Sequence, residues 1–290
     1  MKLLITGASS TLASKLVALL LEGGNHSIRL LEHRSPARME SCETVSGNIN
    51  DPKSLNLACR GMDGVLHLAA LTHSHEHAEY FRVNRDGTQN LIDACVLAGV
   101  KRIIYISSCA ASLEGGGYAR SKLEAEKCIK KSGISWLILR PSEVYGQGAG
   151  DAINRLIHWV RRYPCVPVIG AGEALLSPVY IDDVVSAMAR AILDANLENE
   201  TILLAGPEAL TFDELVDRIA EYFGVKRLKF HLPASLVKFT AIVLSSLGIK
   251  IMVPDQIPRL LCSKDHDISK TSISYSPRKL EEGLTAYWRV

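Results

Sequence analysis

The sequence predicts an α/β protein: a doubly wound parallel sheet followed by a smaller, mostly helical C-terminal lobe. Two observations predict it. Short, continuously apolar runs alternate with segments whose apolar residues recur at helical spacing through the first 140 residues, and after Pro141 that alternation gives way to turn signals and helices. Continuous apolar strands belong to a sheet covered on both faces, which is the parallel βαβ arrangement. With 290 residues, 47% of them apolar, the chain is long enough to bury such a core.

The elements follow in order. Residues 2–6 read as a strand, and Gly7 turns at once into a helix marked by Leu12, Leu16, Leu19 and Leu20. Strands are expected at 27–32, 64–69, 102–107 and 136–140, with helices at 52–60, 78–97 and 118–131. Beyond Pro141, turn residues crowd at Gly146, Gly148, Gly150, Pro164, Pro167, Gly170 and Gly172. Residues 179–183 and 184–193 read as one more strand and helix returning to the first unit, and 207–290 as helical with short extended pieces. The expected division is a first domain over 1–165, rejoined by about 176–204, and a smaller lobe over 166–290.

Charge excludes some partners. Thirty-three basic against 31 acidic residues leave a formal +2, with no polybasic footprint for nucleic acid or an anionic membrane. A small-molecule substrate is the expected partner. Seven cysteines at irregular spacings form neither a disulfide framework nor a C-x-x-C site and fit a reducing cytoplasm. The opening M-K-L-L-I-T-G has no signal-peptide pattern. The apolar stretch 236–253 is interrupted by Lys238 and Lys250, which fits a buried or interfacial helix and not a membrane span.

Open α/β sheets bind ligands at the carboxyl ends of their strands, where helix N-termini present unpaired N–H groups. The first such loop, Gly7-Ala8-Ser9-Ser10-Thr11-Leu12, keeps a glycine for the tight turn but has Ser10, and then Ala13, where a T-G-x-x-G-x-x-G pattern has glycines. It reads either as a phosphate cradle, with the Ser10 hydroxyl donating, or as a plain turn. Glu32, at the end of the second strand, is placed to accept from adenosine ribose hydroxyls, which favours NAD; Arg34 could instead hold the 2′-phosphate of NADP. Tyr118 and Lys122 stand four apart on one helical face. An ammonium beside a phenol favours the phenolate, so the pair suits acid-base work near neutral pH. Ser107 and Ser108, at the end of the preceding strand, offer hydroxyls to a substrate carbonyl.

With these motifs, and with Gly47-Asn48-Ile49-Asn50-Asp51, Val65 to Ala70, Val83 to Leu91, Tyr105 to Ser108, Arg140 to Gly146 and Val179 to Val184 in this order, the chain resembles the extended short-chain dehydrogenase/reductase superfamily, and within it the NAD-dependent epimerase/dehydratase family. The resemblance spans nearly the whole length. It implies a Rossmann domain, NAD as cofactor, a nucleotide-sugar or similar hydroxyl/keto substrate and a homodimer. It implies that Tyr118 is the acid-base, that Lys122 binds the nicotinamide ribose and tunes Tyr118, and that Ser108 holds the reacting oxygen. Gly7, Ser9, Ser10, Thr11, Leu12, Glu32 and Arg34 would contact the cofactor, Asn48 and Ile49 would flank adenine, and Leu68, Ala69 and Ala70 would line the pyrophosphate and nicotinamide side. Asn84 would support the site, Pro141, Ser142 and Val144 would border the nicotinamide, and Thr72, Ser108, Cys109 and Tyr145 would face substrate.

Departures from the family narrow the reading. Ser108 and Tyr118 are ten residues apart, shorter than the family's usual connection, so a more open mouth is expected. Cys109 and Ala110 replace the acidic pair of sugar dehydratases, which removes elimination chemistry, and Leu175 to Ser177 offer no arginine for a diphosphate. His73-Ser74-His75-Glu76-His77 has no partner at metal-ligand spacing, so no metal is expected, and Cys109 is assigned no nucleophilic role. The alternative reading is a non-catalytic dinucleotide-binding protein resembling the dehydrogenase-like accessory subunit of respiratory complex I, on the short loop, the altered glycine turn and the run from Arg120 to Glu126. A redox-sensing regulator ranks last, because Tyr118 and Lys122 are both present.

Overall fold

The structure, a computed structural model, describes residues 1–24, 26–36, 39, 41–148, 152–246 and 254–288. Gly150 and residues 247–253 of the expected apolar helix lie outside the described residues.

The first strands and helices are β1 (Lys2–Thr6), α1 (Thr11–Glu22), β2 (Ser27–Glu32), β3 (Glu43–Ser46), α2 (Pro52–Cys59) and β4 (Gly64–His67). They are followed by α3 (His77–Tyr80), a π-helical stretch (Phe81–Asp86), α4 (Gly87–Ala98), β5 (Arg102–Ile106), α5 (Gly116–Lys130) and β6 (Ser135–Pro141). The second half contains β7 (Val144–Tyr145), α6 (Ala152–Arg162), β8 (Cys165–Ile169), β9 (Leu175–Leu176), β10 (Val179–Tyr180), α7 (Ile181–Leu193), β11 (Glu200–Leu204), β12 (Leu210–Thr211), α8 (Phe212–Tyr222), β13 (Leu228–Leu232), α9 (Ala234–Ser246), α10 (Gln256–Leu261) and α11 (Leu280–Tyr287).

Seven strands form one parallel sheet in the order β11-β6-β5-β4-β1-β2-β3. This is the doubly wound Rossmann arrangement predicted from the sequence, with the order reversing beside β1. Strands β4 and β5 are buried almost throughout, which is why their central residues Val65, Leu66, Ile103 and Ile104 are apolar. One apolar cluster, including Leu16, Leu30 and Leu139, packs on one face of the sheet, and a second, including Leu4, Leu55 and Ile138, on the other.

Several boundaries differ from expectation for physical reasons. The helix expected over 78–97 is interrupted by the π-helical stretch over Phe81–Asp86, and Gly87, at the start of α4, lies so close to Ile49 that a Cβ there would stand 2.9 Å from Ile49 Cγ1. The expected strand at 179–183 shortens to β10, which pairs with β7 outside the main sheet. Helix α7 then starts at Ile181 with Asp182 and Asp183 in its first turn, where carboxylates favour the helix dipole. Edge strand β3 went unpredicted, since its E-T-V-S sequence is largely exposed and carries no apolar run, and β11 extends the sheet at the opposite edge. In the second half, β13 pairs with β8 and β12 with β9, supplying the extended pieces expected among the helices.

Candidate active site

Parallel strands deliver their C-terminal ends to one edge, and that edge gathers most of the candidate residues. Gly7 and Ser9 to Leu12 follow β1, Glu32 ends β2 with Arg34 two residues beyond it, Asn48 and Ile49 follow β3, and Leu68 to Thr72 follow β4. Ser108 and Cys109 follow β5, and Pro141 closes β6 with Ser142 next.

Gly7 has φ 71°, and a Cβ there would lie 2.6 Å from the Ala69 nitrogen. Only glycine lets the β1 and β4 loops come this close. Ser10 caps α1, its Oγ accepting from the Ala13 N–H at 3.2 Å, and the first turn of α1 carries no acidic side chain. An uncluttered, dipole-positive helix N-terminus beside a glycine turn suits a pyrophosphate, so these residues fit a dinucleotide. Asn48 orders its own loop, accepting at Oδ1 from the Asn50 N–H at 2.9 Å.

Beneath this loop runs a buried polar relay. Ala69 N–H donates to Thr6 Oγ1 at 3.2 Å, Thr6 Oγ1 meets His67 Nδ1 at 2.7 Å, and His67 Nε2 meets Thr88 Oγ1 at 2.9 Å. Thr88 Oγ1 in turn donates to the Asn84 carbonyl at 2.5 Å. Because the Thr88 proton is spent there, its oxygen accepts from His67, and the histidine is neutral with Nε2 protonated. Burial, reinforced by the Lys122 charge, pushes the His67 pKa down to about 3.

Asn84 sits on the π-helical turn and uses its whole amide. Its Oδ1 accepts from the Leu71 N–H at 2.7 Å, and Nδ2 donates to the Leu71 carbonyl at 3.0 Å and to Ser121 Oγ at 2.9 Å. It therefore ties the β4 loop to α5, where Ser121 donates to the Tyr118 carbonyl at 2.8 Å. Lys122, one turn on, is fully buried; its Nζ donates to the Ile106 carbonyl at 2.6 Å and stands 4.1 Å over the Tyr105 ring. Burial lowers its pKa to about 7 against the opposing pull of Glu126. Ser108 Oγ accepts from the Ala110 N–H at 3.2 Å, a bond that leaves the hydroxyl proton for another acceptor.

Glu126 belongs to no site motif in the sequence. It is buried, accepts from Ser107 Oγ at 2.5 Å, and takes Arg140 in a two-pronged pair at 2.8 and 2.5 Å. It clamps the ends of β5 and β6 to α5, and in the sequence it stands four residues beyond Lys122, at the end of the run that begins at Arg120.

The structure does not bring Tyr145 to the mouth. Its phenol is fully buried, donates to the Leu280 carbonyl at 3.1 Å and packs on Gly283 of α11. Cys109 is buried beside a cavity of about 170 Å³ shared with Arg140 and Lys264, and burial raises its thiol pKa. Among the histidines, His73 Nδ1 meets Thr72 Oγ1 at 2.9 Å, whereas His77 packs near Gly117 and Phe81.

The short connection from Ser108 to Tyr118 is covered from the C-terminal region. Asp255 accepts from the Gly117 N–H at 2.5 Å and from the Tyr118 N–H at 3.2 Å. Pro258 lies against Gly116, and Cys262 against Gly115. The Arg259 guanidinium is centred 4.6 Å from the Tyr118 ring and donates to the Thr72 carbonyl at 3.3 Å. Lys264 is buried against Glu143 at 2.7 Å. A cavity of about 350 Å³ opens here, lined by Ser74, His77, Tyr80, Gly116, Asp255 and Pro258 among others. No spacing rule links residues 255–264 to Tyr118, so their place at the site is not legible in the sequence.

Residues 3–205 match the family model described as the NAD dependent epimerase/dehydratase family. The chain belongs to this family. Among its relatives, the Arabidopsis thaliana protein named 3beta-hydroxysteroid-dehydrogenase/decarboxylase isoform 2 is 27% identical, over 83% of this chain and 50% of its own length. The chain thus spans half of that relative, and between 22% and 64% of several other curated relatives. Among solved structures, MoeE5 in complex with UDP-glucuronic acid and NAD aligns with TM-score 0.71 at 27% identity, covering 81% of this chain and 86% of that one. The Bacillus cereus UDP-glucuronic acid 4-epimerase, in complex with UDP-glucuronic acid and NAD, aligns with TM-score 0.78 at 24% identity, covering 99% and 98%; at that identity it shows the shared epimerase/dehydratase fold.

Proposed function

We propose that this chain is an NAD-dependent oxidoreductase or epimerase of a hydroxyl/keto substrate, with Tyr118 as the acid-base, Lys122 and Ser108 as its partners, and a nucleotide-sugar as the first substrate class. The observation that carries the reading is the placement of Lys122: a fully buried cation on the helix that carries Tyr118, fixed to the end of the strand that leads to Ser108. A buried lysine with a pKa near 7 costs stability, and perturbed groups of this kind cluster at sites of acid-base chemistry. NAD along the strand ends supplies the hydride acceptor or donor. The chain's own residues do the rest: Ser108 donates to the reacting oxygen, Tyr118 takes or returns its proton, and the Lys122 charge favours the phenolate. Gly7 and the α1 N-terminus receive the pyrophosphate, Glu32 the adenosine ribose with Arg34 beside it, Asn48 and Ile49 the adenine, and Pro141 to Val144 border the nicotinamide. Thr72 belongs to the substrate rim.

The homodimer belongs to the same proposal, formed through α4 and α5 and using the exposed Val96 and Leu97; a monomer in sedimentation would remove that part. The principal test is mass spectrometry of nucleotide released from the denatured protein, with NADH titration of any empty fraction, followed by a screen of UDP-sugars and then sterol-like alcohols. Tyr118→Phe should lower kcat by about 10²–10⁴ with NADH binding retained. A variant that turns over at the wild-type rate removes the assignment, and a protein that neither carries nor binds NAD removes the function.

A further inference from the structure

We propose that Arg259, from the C-terminal region, is a positioning residue that holds Tyr118 and tunes its ionisation from the face of the ring. The inference deepens the reading of Tyr118 as the acid-base and rests on it. The guanidinium lies over the ring with its carbon 4.6 Å from the centroid, and a hydrogen bond to the Thr72 carbonyl at 3.3 Å anchors it. Attraction between a cation and a neutral aromatic face is modest. Once the phenol ionises, its negative charge spreads into the ring, and the attraction becomes that of opposite charges at close range.

The surroundings show why a second cation is needed. From its own helix Tyr118 has Lys122; from α3 it meets the edge of the Tyr80 ring, with centroids 6.2 Å apart, and His77 beside Gly117. From β5 comes Tyr105, which interacts with it electrostatically, and from the Thr72 loop His73, in the field of Arg259. The segment that brings Arg259 also brings Asp255, whose carboxylate accepts from the Tyr118 N–H and opposes formation of the phenolate. Arg259, four residues further on in α10, offsets that charge from over the Tyr118 ring. One short helix thereby caps α5 with its acid and stabilises the phenolate with its base.

The test reads ionisation directly and needs no substrate. Protein labelled with ¹³C at tyrosine Cζ is titrated by NMR, the Tyr118 resonance being assigned by its loss in Tyr118→Phe. Arg259→Gln should raise the Tyr118 midpoint by about one pH unit, while Arg259→Lys, which keeps the charge, should hold it within about 0.3 unit. An unchanged midpoint in Arg259→Gln overturns the proposal, as does an equal shift in both variants. If Arg259→Gln does not fold, Arg259→Lys decides, and a midpoint moved by a full unit overturns it. NADH titration of the same samples separates the two readings: loss of NAD binding in the wild type would sink the enzyme assignment and leave the coupling of Arg259 to Tyr118 standing on its own midpoint.

Discussion

Lys122 and His67 both place an ionisable group in the buried layer beneath the site, and both make stability depend on pH in the same sense. A depressed folded-state pKa means that the unfolded chain binds the extra proton, so stability rises with pH between the two values. For Lys122 the window runs from about 7 to 10.5. The full penalty, on the order of 5 kcal/mol, is present below pH 7 and gone above 10.5. Lys122→Met should therefore be inactive yet more stable than the wild type at pH 7, with the gain vanishing toward pH 10.5; urea unfolding at the two pH values reads it, and a destabilised variant at pH 7 would contradict the burial penalty. For His67 the window lies between about 3 and 6.5, so stability is full above pH 6.5 and falls toward pH 3. Replacing His67 by Gln should flatten the acid limb of stability measured from pH 6.5 downward.

At the scale of elements, the π-helical turn and the glycine turn do what regular structure cannot. The extra residue of the π turn brings Asn84 to both groups of Leu71 and to Ser121. Asn84→Ala should leave buried polar groups unpaired, costing about 1–3 kcal/mol, and should free the β4 loop; faster amide exchange at Leu71 with the rest of the sheet unchanged is the expected signature. Gly7→Ala must accommodate both φ 71° and a contact with Ala69 at 2.6 Å, so weaker NADH binding should accompany lower stability. The order of the central elements was legible because β1, β4, β5 and β6 are apolar runs separated by helices. The π turn was not, since hydrophobic spacing over 78–97 is satisfied by an ordinary helix. Strand β3 was not, since an exposed edge needs no apolar residues. The candidate residues on strand-end loops were legible because a parallel sheet sends those ends to one side. The Tyr145 side chain was misplaced because a two-residue strand alternates faces, and its phenol went to α11.

The whole molecule is held around this site by contacts that join its two halves far apart in sequence. Lys264, buried with 3% of its side chain exposed, pairs with Glu143 immediately after β6, and Glu143 also accepts from the Ser177 N–H at 3.1 Å. Ser177 Oγ meets His266 Nδ1 at 2.8 Å, and Ser142 donates to the Ser177 carbonyl. One polar cluster thus fastens the end of β6, the segment before β10 and the segment after α10, which continues from the helix that carries Arg259, with Asp255 at its start, to Tyr118. Removing one member of a buried ion pair strands the other charge, a loss of about 3–5 kcal/mol, whereas replacing both by neutral groups of similar volume is much milder. Lys264→Met should therefore loosen residues 254–266, and hydrogen exchange should quicken there and at the N-terminus of α5, where Asp255 caps Gly117 and Tyr118. The double variant Glu143→Gln with Lys264→Met should restore much of the protection. If the single variant leaves exchange at Gly117 and Tyr118 unchanged, Asp255 holds α5 without help from this pair.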